Sequence, residues 1–197
     1  MTATKGERTR ARLTAATAAL LQKQGYHATG LAEIVATAGA PRGSVYFYFP
    51  GGKEALACAA LAAAGAEWRT RIEALIAGAP DLGSAVVAVC DELGRELEAS
   101  GYTHGCPLAT VALEAAGTSD AVRATVAAHY DGWIDALAAH LVSHGVPAAV
   151  APRFARFALA AIEGALMLAK VARSRAPLTE AGETLRAMMA LVPRVAG

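Results

Sequence analysis

LAEIVATAGAPRGSVYFYFPGGK, residues 31–53, is the stretch on which the fold turns. An apolar-periodic run over 31–38 stops at Gly39, and a second over 41–49 opens on Pro41, which suits a first helical turn, and ends at Pro50, Gly51 and Gly52. Two short helices joined by a turn at a glycine are helix-turn-helix geometry. Ile34, Val35, Ala38, Val45 and Phe49 are spaced to hold the pair against each other and against a preceding helix. The rest of the second helix, Arg42, Gly43, Ser44, Tyr46, Phe47 and Tyr48, then faces outward. Residues 46–49 are four consecutive aromatics, so on a helix some must point away from the core and require a partner. Tyr hydroxyls donate to phosphate oxygens, aromatic rings lie against sugar or a thymine methyl, and Arg42 reaches a phosphate or a guanine edge, which together suit a DNA major groove. Gly43, costly inside a helix, makes sense if the backbone must approach a phosphate closely. Lys53 opens a long helix after two glycines, where its ammonium and the free N–H groups can share one phosphate. Thr29, just before the first of the two short helices, reads as a cap, a phosphate contact, or both. The competing reading is an aromatic mini-core of a three-helix unit. Residues 51–54 are not a P-loop, because the spaced upstream Gly and the Ser or Thr after Lys are missing.

Outward from this stretch, helical periodicity dominates. Residues 8–24 place Leu13, Ala16, Leu20 and Leu21 on one face before Gly25 closes the helix. A long helix is expected over 53–77, then helices near 82–99, 107–115, 120–143, 147–173 and 179–191; alternating strand patterns are absent. The 197 residues include 51 alanines, so the 55% hydrophobic content reflects helix formers more than bulky side chains. The expected fold is therefore all-α, with a three-helix DNA-binding domain over residues 1–52 and a helical body over 53–197. The net charge of +1 hides an uneven distribution: residues 1–53 carry seven Lys and Arg against two Glu, a balance of +5, and the remainder carries −4. A basic quarter beside an acidic body marks the first as the phosphate-facing module.

Several classes are disfavoured. Residues 1–11 are polar and charged rather than a basic start followed by an apolar core, so a cytoplasmic location is expected. No apolar run is long enough to span a bilayer, and no membrane partner is expected. Cys58, Cys90 and Cys106 are odd in number and lack a CxxC pair, which indicates neither a disulfide framework nor zinc. His140 and His144 stand i, i+4 on a helix with no completing ligand set, so they read as helix-end residues favoured by the dipole rather than as a metal site. Cys106, beside His104, has no evident activating base and third group, so no catalytic residue, cofactor or metal is expected and the chain reads as a non-enzyme.

Leu13, Ala16, Leu20, Leu21, Gly25, Tyr26, Thr29, Ile34, Ala38, Gly39, Gly43, Tyr46, Phe49, Lys53 and Leu56 resemble the amino-terminal pattern of the TetR/AcrR family of bacterial transcriptional regulators. Val35, Ala40 and Tyr48 depart from it, and one extra residue lies in Pro50-Gly51-Gly52. The run from Phe49 to Leu56, with Gly105-Cys106-Pro107-Leu108-Ala109 and Ile162-Glu163-Gly164-Ala165-Leu166, resembles the LmrA/YxaF-like branch. The resemblance implies nine helices, a homodimer formed by the last two long helices, and a ligand pocket in the carboxy-terminal domain.

Within that body, Trp68, Tyr130, Trp133, Phe157 and Met167 are large side chains among alanines, and with Cys106 and His129 they are the expected lining of an effector site. Phe154, Ile162, Glu163, Leu166, Leu185, Met188 and Met189 are the expected dimer residues; the competing reading is that both helices complete the core of the monomer. The function expected is a repressor that binds a palindromic operator as a homodimer and is released by a small apolar or aromatic ligand. The alternatives are a small-molecule-binding helical protein without operator binding and, more distantly, a helical enzyme using Cys106. Neither needs the basic, aromatic-bearing amino terminus.

Overall fold

Thr4 opens the first helix with a reciprocal cap: its hydroxyl accepts the Glu7 N–H at 3.2 Å and the Glu7 carboxylate accepts the Thr4 N–H at 2.7 Å. The computed structural model describes residues 4–192, and every regular element among them is an α-helix. The order is α1 (Lys5–Ala28), α2 (Leu31–Thr37), α3 (Ser44–Tyr48), α4 (Gly52–Gly78), α5 (Leu82–Ala99), α6 (Pro107–Ala115), α7 (Asp120–Ser143), α8 (Ala151–Ala172) and α9 (Ala176–Leu191). Among the described residues there are thus nine helices and no strand, the all-α architecture expected.

Several boundaries differ from the periodicity reading, α1 among them, which runs over Lys5–Ala28 rather than 8–24 and continues past a break at Gly25. The third helix begins at Ser44 rather than Pro41, because the Pro41 carbonyl accepts both the N–H and the hydroxyl of Ser44, at 2.9 and 2.6 Å, and closes a turn instead. Pro147 likewise turns the chain, its carbonyl accepting the N–H groups of Val150 and Ala151, before α8 starts. In α9, Pro177 lies in the first turn and the helix starts three residues before Thr179.

Packing divides the described residues into two compact units, 4–67 with 106–129, and 68–105 with 130–192. The long helices α4 and α7 contribute to both. In the first unit α1, α2, α3 and the start of α4 enclose a core of Leu13, Ala16, Leu20, Ile34, Val35, Ala38, Val45, Phe49 and Leu56, and α6 lies along α1. Every residue that the spacing assigned to this core is buried. In the second unit α9 packs closely on α5 and α8. Glycine permits that approach: a Cβ at Gly182 would stand 3.2 Å from the Cβ of Cys90, and one at Gly83 would press on Arg186. Arg71 draws α4 to α5 by pairing with both Glu92 and Glu96, while its guanidinium lies over the Trp68 ring at 4.7 Å.

Candidate nucleic-acid interface

Burying Val45 and Phe49 fixes which way the five-residue α3 faces. Tyr46 and Phe47 then project from it, 63% and 78% exposed, with Arg42 and Gly43 exposed just ahead. Lys5, Arg8, Arg10 and Arg12 of α1 are also exposed on this unit, and the Arg10 guanidinium stands 5.3 Å from the Phe49 ring centroid. The three-helix unit therefore exposes cations on α1 and aromatic surface on α3.

The remaining four residues assigned to this face are placed differently. Ser44 is buried, with its hydroxyl donated to the Pro41 carbonyl. Thr29 is buried as well, and its hydroxyl donates to the Gly25 carbonyl at 2.6 Å, closing the end of α1. Tyr48 is half-buried against the core, and its ring leans over Gly6, where a Cβ would meet the Tyr48 hydroxyl at 3.3 Å. Lys53 Nζ stands 4.5 Å from the Tyr26 ring centroid and donates to the His27 carbonyl at 3.4 Å. Short hydroxyl side chains satisfy local backbone groups as readily as they satisfy phosphates, so their composition alone does not separate the two roles.

A residue that the spacing did not single out for this unit is Glu114 on α6. Its carboxylate accepts the His27 N–H at 2.8 Å, and its carbonyl lies 3.2 Å from His27 Nε2. Gly25, at φ +79°, breaks the helical path of α1 there, and a Cβ on it would overlap the Glu114 carboxylate. Gly25 is thus required both by its left-handed backbone and by the approach of α6. Burial, with the Glu54 and Cys58 charges adding to it, holds the neighbouring Tyr26 phenol above its ordinary range.

The second unit holds a cavity of about 100 Å³, lined chiefly by Ile76, Val86, Val89, Trp133, Leu159 and His140. Of the seven residues assigned to an effector site, Trp133 lines it. Tyr130 is half-buried, its ring centroid 5.7 Å from that of Trp133, and Trp68 is covered by Arg71. Cys106 and His129 belong to the other unit, where Cys106 caps α6 by accepting the Ala109 N–H and His129 packs on Gly65. Phe157 and Met167 are exposed on α8. Burial, with the neighbouring His144 charge adding to it, lowers the pKa of His140.

The expected dimer residues also divide. Leu166, Leu185 and Met189 are buried within their own unit, and Ile162 joins the cavity lining, as the competing core reading has it. Phe154 and Glu163 are half-buried and Met188 is exposed. The large apolar side chains that α8 does expose are Phe157, Met167, Leu168 and Val171. Among the described residues, no helix is long and apolar enough to cross a membrane, and no three His, Cys, Asp or Glu converge as a metal site.

Comparison with known proteins agrees with this arrangement. Residues 13–60 match the family described as bacterial regulatory proteins, tetR family, and residues 83–184 match the family described as transcriptional regulator LmrA/YxaF-like, C-terminal domain. An HTH-type transcriptional regulator of Mycobacterium tuberculosis is 34% identical over 185 residues, covering 91% of this chain and 93% of that protein. The HTH-type transcriptional regulator LmrA of Bacillus subtilis is 30% identical over 169 residues, covering 86% and 90%. Among solved structures, a TetR transcriptional regulator from Chloroflexus aurantiacus is similar at TM-score 0.79 and 30% identity, covering 98% of this chain and 99% of that one. E. coli NemR in its reduced form is similar at TM-score 0.79 and 25% identity, covering 96% and 100%.

Proposed function

Because this chain belongs to the TetR family of bacterial regulatory proteins, with an LmrA/YxaF-like carboxy-terminal domain, we propose that it is a repressor that binds a palindromic operator as a homodimer and lets go when a small apolar ligand binds. The observation that carries the DNA-binding part is the face of α3. Arg42, Tyr46 and Phe47 are exposed above a closed core, on a unit whose exposed cations suit a polyanion. Phosphate contacts from the α1 cations set the position, and α3 side chains meet base edges. Ser44 and Thr29 serve the turn and the helix end, and Lys53 with the start of α4 supplies a phosphate contact beside His27.

Two copies joined through α8 and α9 would present two α3 helices about 34 to 36 Å apart, the repeat of successive major grooves. Phe157, Met167, Leu168 and Val171 of α8, with Met188 and Leu191 of α9, are the apolar surface available for this. The effector occupies the cavity beside Trp133, where an apolar lining and a neutral His140 favour an uncharged ligand. Because α4 and α7 contribute to both units, differential binding in the second can bias the first, with couplings of about 1 to 3 kcal/mol.

The test is selection of duplex DNA from a genomic pool by the purified protein, followed by gel shift with Arg42→Ala and Tyr46→Ala. Both variants are expected to bind the selected duplex at least tenfold more weakly while keeping wild-type helicity and oligomeric state. Unchanged binding by both, or a wild-type affinity indifferent to salt, would overturn the assignment.

A further inference from the structure

Phe47 is the most exposed large apolar residue of α3, at 78%, on a unit whose α1 exposes Lys5, Arg8, Arg10 and Arg12. Its neighbours on α3 are spent elsewhere: Val45 fills the core, the Ser44 hydroxyl is held by Pro41, and Tyr48 leans on Gly6. The Tyr46 ring approaches the start of α4, where a Cβ on Gly52 would stand 3.5 Å away. Phe47 itself is braced edge-on against Tyr48, with ring centroids 4.8 Å apart and planes at 90°, so a half-buried residue sets the direction of an exposed one. Side chains able to read a base edge by two hydrogen bonds are absent from α3, whose sequence is SVYFY.

An exposed phenyl ring gains free energy chiefly by leaving water against an apolar partner, whereas the exposed cations of α1 call for a polyanion. DNA supplies both at once, because the thymine 5-methyl is the apolar group displayed among base edges in the major groove. We propose that Phe47 is a specificity-determining residue that reads thymine 5-methyl groups in the operator half-site. This rests on the DNA-binding reading above and adds to it the chemistry of the base recognised. The deep, narrow groove of duplex RNA excludes the same contact, and uracil lacks the methyl.

The experiment uses the full-length protein and the duplex it selects from a genomic pool, with uracil substituted for each half-site thymine in turn, a change that removes only the methyl. Wild-type affinity is expected to fall about fourfold for each methyl that Phe47 covers, the worth of one buried carbon. Phe47→Ala should bind more weakly than wild type and treat thymine and uracil duplexes alike within twofold, while Phe47→Leu should keep part of the discrimination. Equal wild-type affinity for the thymine and uracil duplexes would overturn the proposal without reference to any variant, as would full methyl sensitivity in Phe47→Ala. Selection of no duplex at all would overturn the DNA-binding reading and this inference with it, whereas a selected duplex indifferent to its methyls overturns this inference alone.

Discussion

Gly25 shows how one residue answers two demands. Its φ of +79° lies where a Cβ is strained, and the space that a Cβ would fill holds the Glu114 carboxylate that accepts the His27 N–H. Gly25→Ala is therefore expected to lower stability by about 2 kcal/mol or more, read as a fall in the denaturant midpoint. A midpoint within about 0.5 kcal/mol of wild type would show that the end of α1 relaxes freely. The break itself was legible, since glycine after an apolar-periodic run is a stop signal. Its partner was not, because Glu114 is 89 residues away along the chain and no local pattern joins them. For Thr29 and Ser44 the sequence leaves the role open for the opposite reason: their hydrogen bonds are local, and a hydroxyl that closes a turn looks the same in sequence as one that meets a phosphate.

At the scale of elements, α8 inverts the usual arrangement. Its fully buried positions are Ala151, Ala155, Ala158 and Ala169, while Phe157, Met167, Leu168 and Val171 stand outside. Close packing on α9 and α5 takes the small residues, so the bulky ones are left for another surface. Leu166, expected at the dimer, is buried within its own unit, and Phe157, expected at the effector site, is exposed. The approach of α7 to α4 uses the same device, since a Cβ on Gly65 would stand 2.5 Å from His129 Nδ1. Burial lowers the pKa of His129 from its ordinary 6.5, so the folded chain favours the neutral ring. Above pH 6.5 both folded and unfolded states hold it neutral; as pH falls below 6.5 the unfolded state takes the proton first, and stability is lost down to the folded pKa. The melting temperature is expected to drop between pH 7 and pH 5, and His129→Gln should make that drop shallower. An equally steep drop in the variant would assign the effect to other groups.

At the scale of the whole molecule, the exposed apolar residues of α8 and α9 are the surface through which two copies are proposed to meet. Leu168 is 55% exposed in the single chain, so Leu168→Glu should leave helicity unchanged while converting dimers to monomers in light scattering. A variant that remains dimeric would place the interface elsewhere. The sequence by itself determined the helical class, since alanine content and 3.6-residue periodicity are local properties that survive without a fold. It also determined the helix-turn-helix core, because the apolar spacing of Ile34, Val35, Ala38, Val45 and Phe49 closes two short helices against each other and against α1. The bounds of α5, α6 and α7 follow from the same local signals, Asp81 before one and Pro107 at the head of another. Tertiary structure alone decided which face of each alanine-rich helix is inside, which aromatics line the cavity, and which polar side chains of the first unit remain available to DNA. Alanine carries too little contrast in size and polarity to mark a buried face, so that choice falls to the neighbouring helices and to how closely their glycines let them approach.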